Sequence, residues 1–289
     1  MPVNASAVGA RFGERLVEVT PRMMLAYAAG IGQTDAWTFD DAAAGHFVAV
    51  PQLCVSIEWP TISDPGVRTL LGVTPGEWRG ALHVGQDSVF HRPILAGGRL
   101  RIVGCVMEVR ETRAGAIALS RIDSTDAASG DPVVTSWTTV LLRGVAVQGT
   151  GSTAAGRPAA TTDEVGGWQS LEIPVPRELP HVYTECAGIW NPIHTERRVA
   201  LSVGLPDIIL HGTATWALAG RELTRVHAGR DPRRLRRLSG RFGAVVIPGT
   251  RIVLEHGASS SAPGVIRFRV RNHEGEEAMS EGIAEIVPA

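Results

Sequence analysis

Tyr183-Thr184-Glu185-Cys186-Ala187-Gly188-Ile189-Trp190-Asn191 stands, without gaps, in the register of Tyr27-Ala28-Ala29-Gly30-Ile31-Gly32-Gln33-Thr34-Asp35, 156 positions earlier. Tyr27 falls on Tyr183, Gly32 on Gly188 and Asp35 on Asn191; further on, Asp40 falls on Glu196 and Ala44 on Ala200. A second block follows in the same order. Phe90-His91-Arg92-Pro93-Ile94-Leu95-Ala96-Gly97-Gly98-Arg99-Leu100 falls on Phe242-Gly243-Ala244-Val245-Val246-Ile247-Pro248-Gly249-Thr250-Arg251-Ile252, at an offset of 152. Two matches in one order at nearly one spacing indicate a duplication, so residues 1–147 and 163–289 read as tandem versions of one unit. Between them, residues 148–162 are rich in Gly, Ala, Ser and Thr, with almost no large apolar side chain. Such a stretch cannot bury enough surface to offset its ordering entropy, and it reads as a flexible linker.

Each half carries the same order of local signals. A short helix begins near the Tyr, a loop follows, and then comes a longer helix. In the second half that helix is expected to start at Gly212 and run to about Val226. Its Ala214, Ala217, Leu218, Leu223 and Val226 spread small and apolar residues over much of the surface, the mark of a buried helix. Strand-like runs follow at Arg251–Leu254, Val265–Val270 and Ala284–Val287, separated by Pro-Gly and His-Glu-Gly turns. Periodicity alone gives an α+β class.

The chemistry concentrates in Gly188-Ile189-Trp190-Asn191-Pro192-Ile193-His194 and in Leu210-His211-Gly212. An Asn-Pro-x-His taken alone is most often a packed turn with a hydrogen-bonded His. Here Ala200 and Gly204 stand nine and thirteen residues after Asn191, and His211-Gly212 twenty and twenty-one after it. These spacings resemble the hydration motif of the MaoC-like, (R)-specific enoyl-CoA hydratases, which runs Asp-x-Asn-Pro-Leu-His, then Ala, then Gly, then His-Gly. The resemblance is strong from Tyr183 to Val226 and weaker over the rest of the second half; the first half resembles the non-catalytic partner domain of two-domain members. It implies a double hot-dog fold, two tandem units that each wrap an antiparallel sheet around a long buried helix.

By that resemblance, Asn191 orients a water and His194, with an ordinary imidazole pKa of ~6.5, acts as general base and then acid. Gly212 opens the long helix, where free N–H groups and the helix dipole favour charge developing on a thioester oxygen. Tyr183, Ile189, Trp190 and His211 are expected to line the substrate. The departure is Ile189, where the family carries an Asp that shares the water with the His. Ile neither accepts nor donates a proton. Glu185, four residues earlier, would share a helix face with position 189 if the segment is helical, and is the candidate to supply the carboxylate. In the first half, Gln33 stands opposite Ile189 and Thr38 opposite His194, so that half is expected to be a wall for the acyl group.

Residues 230–237 hold five arginines. A bare charge run is usually a solvated face, but arginine forks also suit the phosphates of coenzyme A, and Arg234 and Arg237 are the candidates. His46, His83 and His91 have no metal-like spacing, and no metal is expected. The composition, 44% hydrophobic and 20% charged with a net charge of -1, gives no reason to expect nucleic acid or a membrane surface as partner. Three scattered cysteines fit a reducing cytoplasm. The expected activity is reversible hydration of 2-enoyl thioesters or dehydration of 3-hydroxyacyl thioesters. The substrate would be an acyl-CoA or acyl-carrier thioester, with no separate cofactor and a homodimeric assembly. The alternatives are a non-catalytic thioester-binding partner subunit and a hot-dog enzyme of other chemistry, such as thioester hydrolysis.

Overall fold

The computed structural model describes residues 2–42, 47–149, 151–152, 156–159 and 164–287. Ala44, His46 and much of the 148–162 segment lie outside them. The first half contributes strand β1 (Arg11–Glu18), helices α1 (Pro21–Gly30), α2 (Cys54–Ile62) and α3 (Pro65–Leu71), then strands β2 (Ala81–Phe90), β3 (Arg99–Thr112), β4 (Gly115–Asp126) and β5 (Pro132–Arg143). The second half contributes β6 (Gln169–Val175), α4 (Leu179–Ala187), α5 (Arg197–Ser202), α6 (Gly212–His227), β7 (Leu235–Phe242), β8 (Thr250–Ala258), β9 (Val265–Arg271) and β10 (Glu277–Ile286).

These elements form two compact units that do not follow the chain halves. One comprises Met1–Glu18, Ile57–His91 and Arg99–Ala160; the other comprises Val19–Ser56, Arg92–Gly98 and Thr161–Ala289. The first unit's sheet runs β1-β3-β4-β5-β2, antiparallel throughout. The helical segment over it is broken. Pro60 lies within α2, and Asp64 then caps a new start by accepting from the Gly66 N–H, with Pro65 in the first turn of α3. Beneath α2 the core is unusually polar. Glu58 is fully buried and bonded to Ser124 and Ser136, Ser136 meets Ser88, and Ser88 accepts from Gln86. Burial pushes the Glu58 carboxyl up to about 8, against the pull of its two serine hydrogen bonds.

The second unit's sheet runs β7-β10-β9-β8-β6, again antiparallel. Helix α6 lies on it with Ala214, Trp216, Ala217, Leu218, Ala219 and Leu223 buried. At Gly220 the approach is so close that a Cβ would stand 2.5 Å from Leu238 Cδ2 and 2.4 Å from Gln52 Nε2. The sequence duplication is visible in this unit as a helix pair, because α1 packs on α4. Tyr27 and Tyr183, one repeat apart, bring their hydroxyls to 3.5 Å, and a Cβ at Gly30 would stand 2.6 Å from Cys186 Cβ. Strands β6 and β7 were not expected. β7 overlaps the arginine run, whose charges mask the inward Leu235 and Leu238.

Candidate active site

Helix α4 ends at Ala187 because Gly188 adopts the left-handed conformation, with φ of 64°. This turn separates Glu185 from Ile189. Glu185 stays on the exposed face of α4, while Ile189 turns inward and is 3% exposed. The expectation that Glu185 supplies a carboxylate is therefore corrected: the i, i+4 relation needs a continuous helix, and the helix stops between the two. Trp190 follows Ile189 outward and is 61% exposed.

Asn191 caps the short turn Pro192–His194, its side-chain oxygen accepting from the Ile193 N–H at 3.3 Å. His194 comes at the end of that turn, half-buried, and meets the lead-in to α6. Its Nδ1 lies 2.8 Å from the Ile209 carbonyl oxygen. A carbonyl only accepts, so Nδ1 carries the hydrogen and Nε2 carries the lone pair. Desolvation pulls His194 down to about 4, partly opposed by the Ile209 hydrogen bond. The ring is neutral at pH 7, a weaker base than the ordinary imidazole expected from the residue type.

His211 is the residue before α6 and is 2% exposed. Its ring stacks on that of His194, with centroids 3.6 Å apart and planes at 25°. Its Nε2 lies 3.2 Å from both the Ile189 carbonyl oxygen and the Thr184 hydroxyl. Burial first, and then the neighbouring His194, drives its pKa down to about 2. Tyr183 lies behind, 5.0 Å from the His211 ring, fully buried and bonded to Tyr27 and Thr213, its phenol pushed up to about 12 by burial. Tyr183 is thus a support for His211 rather than an open wall for substrate.

Gly212 begins α6, so its N–H belongs to the first turn, where the Gly212 and Thr213 amides precede the first internal bonds, made by Ala214 and Thr215 to the His211 carbonyl. A Cβ there would stand 3.0 Å from the Phe242 ring, which explains the glycine by packing as well as by approach. The structure therefore brings together Asn191, His194, His211 and the start of α6, with Ile189 and Tyr183 beneath. Thr184 and the Ile209 carbonyl complete the cluster. Neither carries a motif signal, since one acts through its hydroxyl beside the Tyr of the repeat and the other through its backbone.

The arginine run is placed elsewhere and is largely engaged. It follows the C-terminal end of α6, ~24 Å of helix away from Gly212 at 1.5 Å per residue. Arg237 is 3% exposed and pairs at 2.9 Å with Glu285, its register partner on β10, on the face opposite Leu235 and Leu238. Arg234 donates to the Val287 carbonyl, Arg233 pairs with Asp231, and Arg230 holds Asp35. The reading of Arg237 as a phosphate ligand is corrected on these grounds; Arg234 keeps a structural bond at the same end. In the first half, Asp35 is tied to Arg230 and Thr38 is buried, so the positions opposite Asn191 and His194 hold no acid–base pair. Among the described residues, no group of three or more His, Cys, Asp or Glu side chains is arranged to hold a metal ion, and no helix is long and apolar enough to cross a membrane.

Residues 167–274 match the MaoC like domain model, and residues 6–136 match the FAS1-like dehydratase domain region. Among curated proteins, 3-hydroxyacyl-thioester dehydratase Y of Mycobacterium tuberculosis is 27% identical over 297 residues, covering 99% of each chain. Among solved structures, a MaoC-like dehydratase from Phytophthora capsici superposes with a TM-score of 0.80 at 21% identity, over 99% of this chain and 98% of that one. A Mycobacterium tuberculosis protein described as having a double hot-dog fold superposes with a TM-score of 0.62 at 15% identity, over 96% and 94% of the two chains. Residues 167–274 thus resemble a MaoC like domain, and the chain has the double hot-dog fold of these solved structures.

Proposed function

We propose that this protein adds water reversibly across the 2,3-double bond of a 2-enoyl thioester, the reverse direction being dehydration of a 3-hydroxyacyl thioester. The observation that carries this reading is the tautomer of His194. Its Nδ1–H is fixed on the Ile209 carbonyl, which leaves Nε2 as a free base beside the start of α6. In the hydration direction, water oxygen bonds to C3 while Nε2 takes one water proton. The double-bond electrons move to C2 and the thioester oxygen. First-turn N–H groups of α6, Gly212 among them, hold that oxygen as it gains charge. Protonated His194, a strong acid because burial disfavours its charge, then delivers the proton to C2. Asn191 acts at the same turn, its side-chain oxygen fixing the backbone that presents His194.

Acyl-CoA is the substrate class we favour, and the relative named a 3-hydroxyacyl-thioester dehydratase supports the thioester part of that reading. The step consumes no redox equivalents and needs no added cofactor. We read residues 1–147 and 163–289 as the duplicated halves, with the first serving the acyl group, and place the protein in the cytoplasm as a homodimer. Sedimentation of the pure protein tests the last point. Incubation with a panel of 2-enoyl-CoA and 3-hydroxyacyl-CoA thioesters tests the activity, read as loss or gain of the conjugated enoyl absorbance. Turnover of at least one pair in both directions is expected. A second reading, a thioester-binding subunit without turnover, is favoured by one observation, the buried Ile189 in place of an acid. Binding of the panel with no absorbance change would establish it.

A further inference from the structure

We propose that His211 is the positioning residue that holds the reacting water through its Nδ1, in place of the carboxylate that Ile189 lacks. This rests on the hydration reading above. The hydrogen bonds determine which nitrogen is available. His211 Nε2 faces the Ile189 carbonyl oxygen at 3.2 Å, and a carbonyl accepts only, so Nε2 carries the hydrogen. Nδ1 therefore carries a lone pair. It is buried and has no hydrogen-bond partner. Native proteins rarely leave a buried acceptor in that state without a reason.

The surroundings point to a water as that reason. The His211 ring lies 3.6 Å from His194, whose own lone pair is on Nε2. Each of the two stacked neutral imidazoles thus carries one acceptor nitrogen, and a water has two hydrogens to give. The other polar neighbours are committed. The Thr184 hydroxyl meets His211 Nε2, and the Tyr183 hydroxyl meets Tyr27 and Thr213. Ile189 contributes its backbone carbonyl, which fixes the tautomer, while its side chain is buried. The position that lost an acid thus still acts, through its main chain, on the residue that takes over.

The step balances without any proton passing to His211. Water gives one proton to His194 Nε2, and that proton ends on C2. The other hydrogen stays on oxygen, donated to His211 Nδ1 while the oxygen attacks, and ends on the 3-hydroxyl. His211 restricts the rotation of the water and leaves the reaction unchanged. Loss of such positioning is worth about 10²-fold in rate.

Two variants separate this role from packing. Glutamine places its amide where Nε2 stands, so His211→Gln keeps a donor for the Ile189 carbonyl and loses the Nδ1 acceptor. Asparagine places its amide where Nδ1 stands, so His211→Asn keeps an acceptor there and loses the structural bond. Thermal unfolding is read first, then kcat and KM on the enoyl-CoA that the wild type turns over. The expected result is a kcat for His211→Gln lower by about 10²-fold with KM nearly unchanged, and a higher kcat for His211→Asn. A purely structural role predicts the reverse order, and near-native kcat in folded His211→Gln would overturn the proposal. Should the Gln variant fail to fold, His211→Asn is compared with His211→Phe, which has no acceptor; equal rates would overturn the proposal. Wild-type protein without turnover would overturn the hydration reading and this proposal together, whereas wild-type turnover with a native-like Gln variant would overturn this proposal alone.

Discussion

At His194 one hydrogen bond decides which nitrogen does chemistry, and burial decides over which pH range. Because desolvation holds its pKa near 4, the ring is neutral and able to accept a proton from well below neutrality upward. Protonation removes the base, so activity is lost as pH falls through about 4. We expect kcat/KM to be flat from about pH 6 to 8, with an acidic limb below about 5. A limb centred near 6.5 would show that the ring titrates as an ordinary imidazole. The motif spacing made His194, Asn191 and Gly212 legible in the sequence. It did not reveal the His194–His211 stack, because that contact joins a turn to a helix start 17 residues further on. It misplaced Glu185 because a single left-handed glycine, Gly188, ends the helix between it and Ile189.

Among the elements, α6 was readable almost to the residue, from Gly212 to His227, since a buried helix rich in Ala and Leu with a glycine start has few competing readings. Its close seat on β7 gives a direct test. Gly220→Ala places a Cβ 2.5 Å from Leu238 Cδ2, so we expect a loss of about 1–3 kcal/mol, read as a lower midpoint in chemical denaturation. β7 itself was hidden, because its arginines read as a solvated run, whereas the strand register buries Arg237 against Glu285. The first unit's broken helix and polar core give a second test. Native Glu58 keeps a proton that the unfolded chain loses above about 4.5, so its contribution to stability is present below that pH and is lost as pH rises through about 8. Glu58→Gln should flatten that loss, by on the order of a few kcal/mol between pH 5 and 8. An identical fall in Tm for both proteins over that range would contradict the buried, protonated carboxyl.

For the molecule as a whole, the duplication was legible because two blocks keep one register, yet the compact units cross the halves. Residues Val19–Ser56 join the second unit, where α1 covers α4 and Tyr27 meets Tyr183. A chain cut to residues 163–289 would expose that face, and we expect it to aggregate or bind a hydrophobic dye, whereas the intact chain does neither; a well-folded, monomeric fragment would show that α1 is dispensable. No periodicity in either half signals this exchange, since it depends on which surfaces meet after folding. What the whole chain does with a thioester rests on His194, and the most direct measurement is turnover of the best enoyl-CoA by wild type and by folded His194→Ala. The account predicts a kcat lower by about 10²-fold or more in the variant, with the thioester still bound. Native-like turnover by that variant would contradict it.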